Sequence, residues 1–480
     1  MGTFSISQDR DGNRRHGVRE IENVPISPEI RSVRKVALTA LAATSIEWYD
    51  FFLYGTAAAL IFPTVFFPAE MPPLVSLLAS FSTFAVGFIA RPIGAVVFGH
   101  FGDRLGRKRA LVTALLMMGV ATTLIGCLPS YVLAGALAPL LLIVLRFVQG
   151  LAIGGQWAGA VLLACEGAPA RQRGFYGSLA QTGAPIGTIL ANLAFLLAST
   201  SMTDQAFLAW GWRIPFLVSV VLIALGLYVQ LRLEDTAAFR ELRALRERRD
   251  AEAAAERARR SVIDVNAARA ELAAEREPSP VLEALRAYPK QIALAAGSFV
   301  AAQVTFYILV AFVIAYGSGP SGLGIPRGTM LAGVLIGAVV MIPGVIVSAI
   351  LSDRYGRRGV IMLAAAALAL WGFALFPLID TRSLLWISVG IGVGQSLVGA
   401  MYGPQAAFFA EIFETRVRYS GASLGYQLGG ILGGGLAPII ATALLAGYGN
   451  TTGISVYIAL ACLVSFVSVR WLKETHRNAM

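Results

Sequence analysis

From residue 36 almost to its end, the chain alternates between long apolar runs and short polar turns. A bilayer core needs about 20 apolar residues per helical crossing. Six runs meet that length in the first part: Val36–Phe62, Leu74–Phe98, Leu111–Leu128, Leu137–Cys165, Tyr176–Ala198 and Trp210–Leu233. Six more follow: Gln291–Tyr316, Met330–Leu351, Val360–Ile379, Leu384–Phe413, Tyr419–Gly447 and Ile454–Trp471. The pattern predicts an all-α membrane protein with twelve transmembrane helices in two six-helix halves. The fourth and tenth runs are long and glycine-rich, which predicts tilting or bending.

The expected organisation is a polar tail over 1–35, a first half over 36–233, a linker over 234–288, a second half over 289–472 and a short tail over 473–480. The linker contains ELRALRERRDAEAAAERARR, a solvated helix by its opposite charges at helical spacing. Residues 1–35 hold no apolar stretch, so no cleavable leader is expected and the first span directs insertion.

Composition narrows the class. Of the 480 residues 56% are hydrophobic and only 14% charged, too few charges to cover a soluble surface. The net charge of +11 could indicate nucleic acid, but its distribution argues otherwise. With the N-terminus placed in the cytoplasm, nearly every Lys and Arg falls on the cytoplasmic side, and Arg327 and Arg382 fall outside. Membrane orientation accounts for the excess, no nucleic-acid partner is expected, and both termini are expected in the cytoplasm. Cys127, Cys165 and Cys462 lie in or beside apolar runs and show no disulfide framework or metal-ligand spacing.

The two halves repeat one another. GHFGDRLGRKR (99–109) and SAILSDRYGRRG (348–359) each follow the second run of their half. Glu166 precedes Arg171 and Arg173 with the same spacing by which Glu411 precedes Arg416 and Arg418. Two motif pairs in register imply duplicated halves about an axis along the membrane normal. The expected gate comprises Gly99, Asp103, Arg104, Gly106, Arg107, Glu166 and Arg171 in the first half. Asp353, Arg354, Gly356, Arg357, Glu411 and Arg416 complete it in the second. Gly106 and Gly356 let the chain reverse, and Asp103 and Asp353 meet arginines or a helix N-terminus. The competing reading is a static loop that only sets topology.

Ionisable residues within the apolar runs are functional candidates, because charge in hydrocarbon is costly. They are Glu47, Asp50, Arg91 and Arg146. Along their helices these lie about 16, 21, 12 and 30 Å from the cytoplasmic end at 1.5 Å per residue. Glu47 and Asp50, three residues apart, are expected to share a helix face. Two acids and two bases at overlapping depth can neutralise one another in a structural network or form a protonatable switch. Tyr54, Gln149, Gln156, Trp157, Gln303, Tyr307, Tyr402 and Gln405 are candidates for a substrate cavity, although each polar side chain could equally bond another helix. The first half carries the charge, so ion coupling is expected there. Gly-rich segments such as GGILGGG (429–435) read as mechanical.

The paired D-R-x-G-R-[RK] turns resemble the signature of the major facilitator superfamily. EWYDFFLYG (47–55), RPIGAVVFGHFGDRLGRK (91–108), RFVQGLAIGGQWAGA (146–160), WGWRIPF (210–216) and YGPQAAFFAEIFETRVRYSGASLGYQLGG (402–430) resemble its metabolite:proton symporter family. The likeness covers roughly residues 36–233 and 285–472. It implies uptake of a small metabolite with protons, by alternating access, across a bacterial inner membrane, by a monomer. The energy source would be the proton gradient, with no cofactor. By likeness to proton-coupled sugar porters, Asp50 would carry the proton and Arg146 would be its partner. Gln156 departs from the family's usual Glu, which alters whatever that Glu does elsewhere. The linker also looks longer than usual. An organic acid is the expected substrate. The alternatives are a proton-driven antiporter and a transporter-like receptor without flux. An embedded enzyme is disfavoured, because His16, His100 and His476 form no catalytic cluster.

Overall fold

The computed structural model describes residues 28–105, 107–154, 161–162, 164–165, 168–233, 252, 280–319, 322–414 and 417–476. Its spans are α1 (Pro28–Leu60), α2 (Pro73–Leu105), α3 (Arg107–Cys127), α4 (Leu137–Ile153), α5 (Arg173–Thr200) and α6 (Ile214–Leu233) in the first half. The second half holds α7 (Pro289–Ser318), α8 (Arg327–Tyr355), α9 (Arg357–Asp380), α10 (Leu384–Ile412), α11 (Arg418–Tyr448) and α12 (Thr452–Trp471). Eight of these are long and apolar enough to cross a membrane, three are shorter apolar helices, and α1 completes the twelve. Of the expected linker, the last part forms a helix, Pro280–Ala287, with proline at its first turn, where a missing N–H costs nothing.

The duplication read from the motifs recurs in the packing. In the first half α1 packs on α5, α2 on α4 and α3 on α6. In the second, α7 packs on α11, α8 on α10 and α9 on α12. The halves meet along two equivalent seams, α5 against α8 and α2 against α11. Glycine makes the α2–α4 contact close: a Cβ at Gly94 would strike the Leu151 carbonyl, and one at Gly154 the Arg91 carbonyl. Small residues let membrane helices approach backbone to backbone in this way.

The tenth run carries a proline, the usual bending element of a helix. The span α10 is one helix with Pro404 inside. The irregular turns lie in α7 and α11, as π-helical segments Ile308–Phe312 and Gly430–Gly435. The second coincides with the glycine-rich stretch. A Cβ at Gly433 would meet Gln303, and one at Gly434 would meet Phe88 and Tyr307. The wider turn and absent side chains bring α11 against α7 and α2. The described stretch of α4 runs to Ile153, residues 161–162 and 164–165 are again helical, and Gln156, Trp157 and Glu166 lie outside the described residues.

Candidate functional site

Two layers of polar residues hold the halves together, one at the centre and one at the face bearing the D-R-x-G-R-[RK] turns. At the turn face, Asp353 ends α8. Its carboxylate accepts hydrogen bonds from the backbone N–H groups of Gly174 (2.9 Å) and Phe175 (3.0 Å), at the N-terminus of α5 in the other half. It also accepts from Arg357 Nη1 at 2.6 Å. An anion at the positive end of a helix is favourable, and this one is nearly buried. Arg357, fully buried at the start of α9, donates Nε and Nη2 to the two oxygens of Glu411 at 3.3 and 3.1 Å. The planar fork matches a carboxylate in this bidentate form.

Gly356 makes the turn with φ of 102°, where a Cβ would be strained and would meet Glu474. Glu474 follows the last span and accepts from the N–H groups of Arg357 (2.9 Å) and Arg358 (3.0 Å). Thr475 donates its hydroxyl to Glu411 at 2.6 Å. Neither Glu474 nor Thr475 stood out in the sequence; an acid inside a basic tail was the available sign. Arg171 and Arg354 are exposed and border a groove at this face with Phe175 and Ile350. For Gly99, Asp103, Arg104 and Arg107 the helical backbone is described but not the side chains, and Gly106 and Arg416 lie outside the described residues. At the opposite face, Arg327 of α8 bridges to Asp204 of the first half at 3.1 Å.

The centre gathers the four ionisable candidates around an aromatic box. Glu47, Asp50, Arg91 and Arg146 are all buried. Phe51 is shared: the guanidinium carbons of Arg91 and Arg146 each lie 4.2 Å from its ring centroid. Arg91 also faces Phe88 (4.6 Å), and Arg146 faces Tyr54 (4.2 Å) and Phe84 (4.7 Å). Each such contact with a desolvated cation contributes about 2 kcal/mol. The Tyr54 hydroxyl donates to Thr83 at 2.7 Å, so this residue serves as a ring platform.

The expected mutual neutralisation takes a different form. Among the described residues, no salt bridge joins Glu47 or Asp50 to either arginine. Arg91 Nε and Nη2, Arg146 Nη2 and both Asp50 oxygens have no hydrogen-bond partner. Glu47 and Asp50 also do not share surroundings. Glu47 lies within electrostatic range of Arg91 and of Tyr426 in the other half. Asp50 instead faces Ser219 and Thr122 inside its own half. A three-residue step turns a helix by about 300°, and in this crowded bundle that offset sends the two side chains to different neighbours.

Gln149 is likewise turned inward. It accepts from Arg146 Nη1 at 3.1 Å and donates to Thr122 at 2.7 Å, so it does not line the cavity. The cavity between the halves is small, about 10 Å³, and is bordered by Trp48, Gln303, Phe306, Tyr307, Met341 and Tyr402 among others. Tyr307 lies within range of both arginines. Its hydroxyl and Gln303 Nε2 have no partner. Gln405 donates to the Ser298 carbonyl at 3.1 Å and leaves its oxygen unpartnered. Two amides tie the halves here: Gln181 donates to the Tyr402 carbonyl (3.3 Å) and Gln427 to that of Gly154 (3.0 Å). The sequence reading missed Phe51, Phe88 and Tyr426, because aromatic residues in apolar runs look alike until packed. No group of three or more potential metal ligands occurs among the described residues.

Comparison with known proteins agrees with this architecture. The sugar (and other) transporter family matches residues 36–479. The inner membrane metabolite transport protein YhjE of Escherichia coli is 38% identical, over 94% of this chain and 96% of that one. The shikimate transporter of Escherichia coli is also 38% identical, over 92% and 95%. Its proline/betaine transporter is 30% identical, over 92% and 84%. Among solved structures, the xylose transporter XylE of Escherichia coli, in a partially occluded inward-open conformation, superposes with a TM-score of 0.66 at 15% identity. The match covers 94% of this chain and 100% of that one, a likeness of fold. With its duplicated six-helix halves and paired D-R-x-G-R-[RK] turns, the chain is a multi-pass transporter, not an enzyme, of the sugar (and other) transporter family, with the major facilitator fold.

Proposed function

We propose that this transporter is a proton-coupled symporter that imports a small organic anion across a bacterial inner membrane by alternating access. In this reading the turn face and both termini are cytoplasmic, in keeping with the basic residues there, and one chain is the working unit. The observation that carries the reading is the pair of buried guanidiniums. They hold unpartnered N–H donors, form no salt bridge with a carboxylate among the described residues, and reach Tyr307 at the cavity wall. A buried unpaired cation is costly, and a substrate carboxylate would relieve that cost. The names of the relatives support a small metabolite: one is a shikimate transporter, others carry proline and betaine. A solved structure of the same fold is a D-xylose–proton symporter. Asp50, buried against Ser219 and Thr122 of its own half with no ion-pair partner among the described residues, is the proposed proton carrier.

The test is uptake into proteoliposomes under an imposed pH gradient, with shikimate as the anionic probe and proline and glycine betaine as zwitterionic ones. Accumulation of the anion, abolished by collapsing the gradient, is expected. Asp50→Asn should lose that accumulation yet keep exchange between equally loaded compartments, which needs no net proton movement. Accumulation of the zwitterions alone would overturn the anion assignment, and full gradient-driven accumulation by Asp50→Asn would overturn the proton assignment.

A further inference from the structure

No ion pair joins Asp50 to Arg146 among the described residues. What lies between them is ordered. Arg146 Nη1 donates to Gln149 Oε1 at 3.1 Å. Gln149 Nε2 donates to Thr122 Oγ1 at 2.7 Å. The Thr122 hydroxyl donates back to the Met118 carbonyl of its own helix at 2.9 Å, with Asp50 beside it. Thr122 and Gln149 are buried, at 0% and 1% exposure, so water does not compete for these bonds. Three helices contribute: α1 supplies Asp50, α3 supplies Thr122, and α4 supplies Gln149 and Arg146.

We propose that Thr122 and Gln149 are positioning residues that form a hydrogen-bond relay through which the protonation of Asp50 sets the availability of Arg146. The inference rests on Asp50 being the proton carrier. The chemistry follows from the donor directions. An ionised Asp50 accepts only, so it draws the Thr122 O–H away from Met118. The Thr122 lone pairs then remain for Gln149 Nε2, and the amide turns its oxygen to Arg146. Every donor in that chain points from the cation toward the anion, and hydrogen bonds aligned head to tail polarise and strengthen one another. A protonated Asp50 makes no such demand. Its own O–H can donate to Thr122, in competition with Gln149, and the Thr122 O–H returns to Met118. Arg146 then loses part of its hold within the half and can turn its donors to a ligand. The arrangement seen here shares the Thr122–Met118 bond with that second arm and keeps the Gln149–Thr122 and Arg146–Gln149 bonds of the first.

Other groups face the two ends. Tyr49 lies next to Asp50 and donates its hydroxyl to the Pro215 carbonyl at 2.7 Å. Ser219 of α6 also faces Asp50. Arg91, Tyr54 and Tyr307 surround Arg146, and Glu47 answers to Arg91. Among the described residues none of these bridges Asp50 to Arg146, and the relay connects them.

The test reads Asp50 directly and needs no substrate. Infrared difference spectra of the full-length protein in lipid, titrated with pH, report the carboxylic C=O band that disappears in Asp50→Asn. The relay predicts that Thr122→Val and Gln149→Leu shift the titration midpoint of this band by half a pH unit or more, a change of about threefold in the protonation equilibrium. Thr122→Ser, which keeps the hydroxyl, should restore the parent midpoint. A merely structural role for Thr122 would not be rescued by so small a hydroxyl side chain while failing with isosteric valine. Identical midpoints in parent, Thr122→Val and Gln149→Leu would overturn the relay while leaving Asp50 as proton carrier. If no Asp50-dependent band titrates where the protein stays folded, both the proton assignment and the relay fall. Should Thr122→Val not yield folded protein, the pair of Gln149→Leu and Thr122→Ser decides on the same criterion.

Discussion

Replacing Asp353 by asparagine should unlatch the turn face without disturbing the centre. The carboxylate holds three donors: two backbone N–H groups of the other half and Arg357. Asparagine keeps one accepting oxygen, and its NH₂ opposes the second N–H, so at least one bond across the halves is lost. Hydrogen bonds to a charged group contribute about 1.5–3 kcal/mol each. Solvent screens little here, since the Asp353 side chain is only 7% exposed. The bond exists only while this face is closed, so its loss biases the closed-to-open equilibrium by roughly 10- to 150-fold. Spin labels at Gln172 and Ile350, which border the groove on opposite halves, would report the change by pulsed dipolar spectroscopy. A longer-distance population should grow in Asp353→Asn. The control Asp204→Asn breaks the bridge at the opposite face and should not enlarge it. An unchanged distance distribution in Asp353→Asn would refute the clasp.

Two further outcomes follow from packing and from the tail. Gly154→Val should lower the thermal midpoint of the purified protein, because its Cβ would strike the Arg91 carbonyl across the α2–α4 contact; overpacking of this kind costs about 1–3 kcal/mol, and an unaltered midpoint would show that the helices can part freely. Glu474 concerns pH. Desolvation alone would raise its carboxyl, but N–H donors from Arg357, Arg358, Thr475 and His476 outweigh it and hold the carboxyl below its ordinary value. A lowered value means that tail docking is fully present at neutral pH and is lost only in acid, as pH falls through that lowered value. Amide exchange at Arg357 and Arg358, corrected for its intrinsic pH dependence, should therefore accelerate only under such acid conditions; acceleration already near neutrality would contradict the assignment.

Much of this molecule was legible because lipid imposes simple rules. Run length and charge placement located the spans, and the duplicated motifs located the second half against the first. Within the site, legibility ended where side chains choose among neighbours of unrelated sequence. Gln149 stands one helical turn after Arg146, so their bond was within reach of spacing alone. Its other partner, Thr122, is 27 residues away on α3 and has no periodic signature. The same holds for Phe51, which looks like any apolar residue of α1 until two guanidiniums are seen against it. Spacing also misled: Glu47 and Asp50 stand three apart, but one faces the seam between the halves and the other the interior of its own. The wide turn of α11 was foreshadowed by glycines, whereas that in α7 arises from an ordinary apolar sequence, ILVAF, and left no trace.

Gly174 shows how unevenly the two halves contribute to the clasp. The second half supplies a carboxylate and an arginine. The first supplies two peptide N–H groups, which any residue except proline also carries. It also leaves out a side chain at position 174. A Cβ at Gly174 would lie 2.8 Å from the Asp353 carboxylate, 2.6 Å from Arg357 Nη1 and 2.8 Å from the Ala349 carbonyl. A methyl group there would be a wedge driven between the halves from one side, leaving every charge in the network intact. Position 174 is thus a mechanical set-point: the bulk placed on it decides how far this face can shut, much as a shim decides the play in a door.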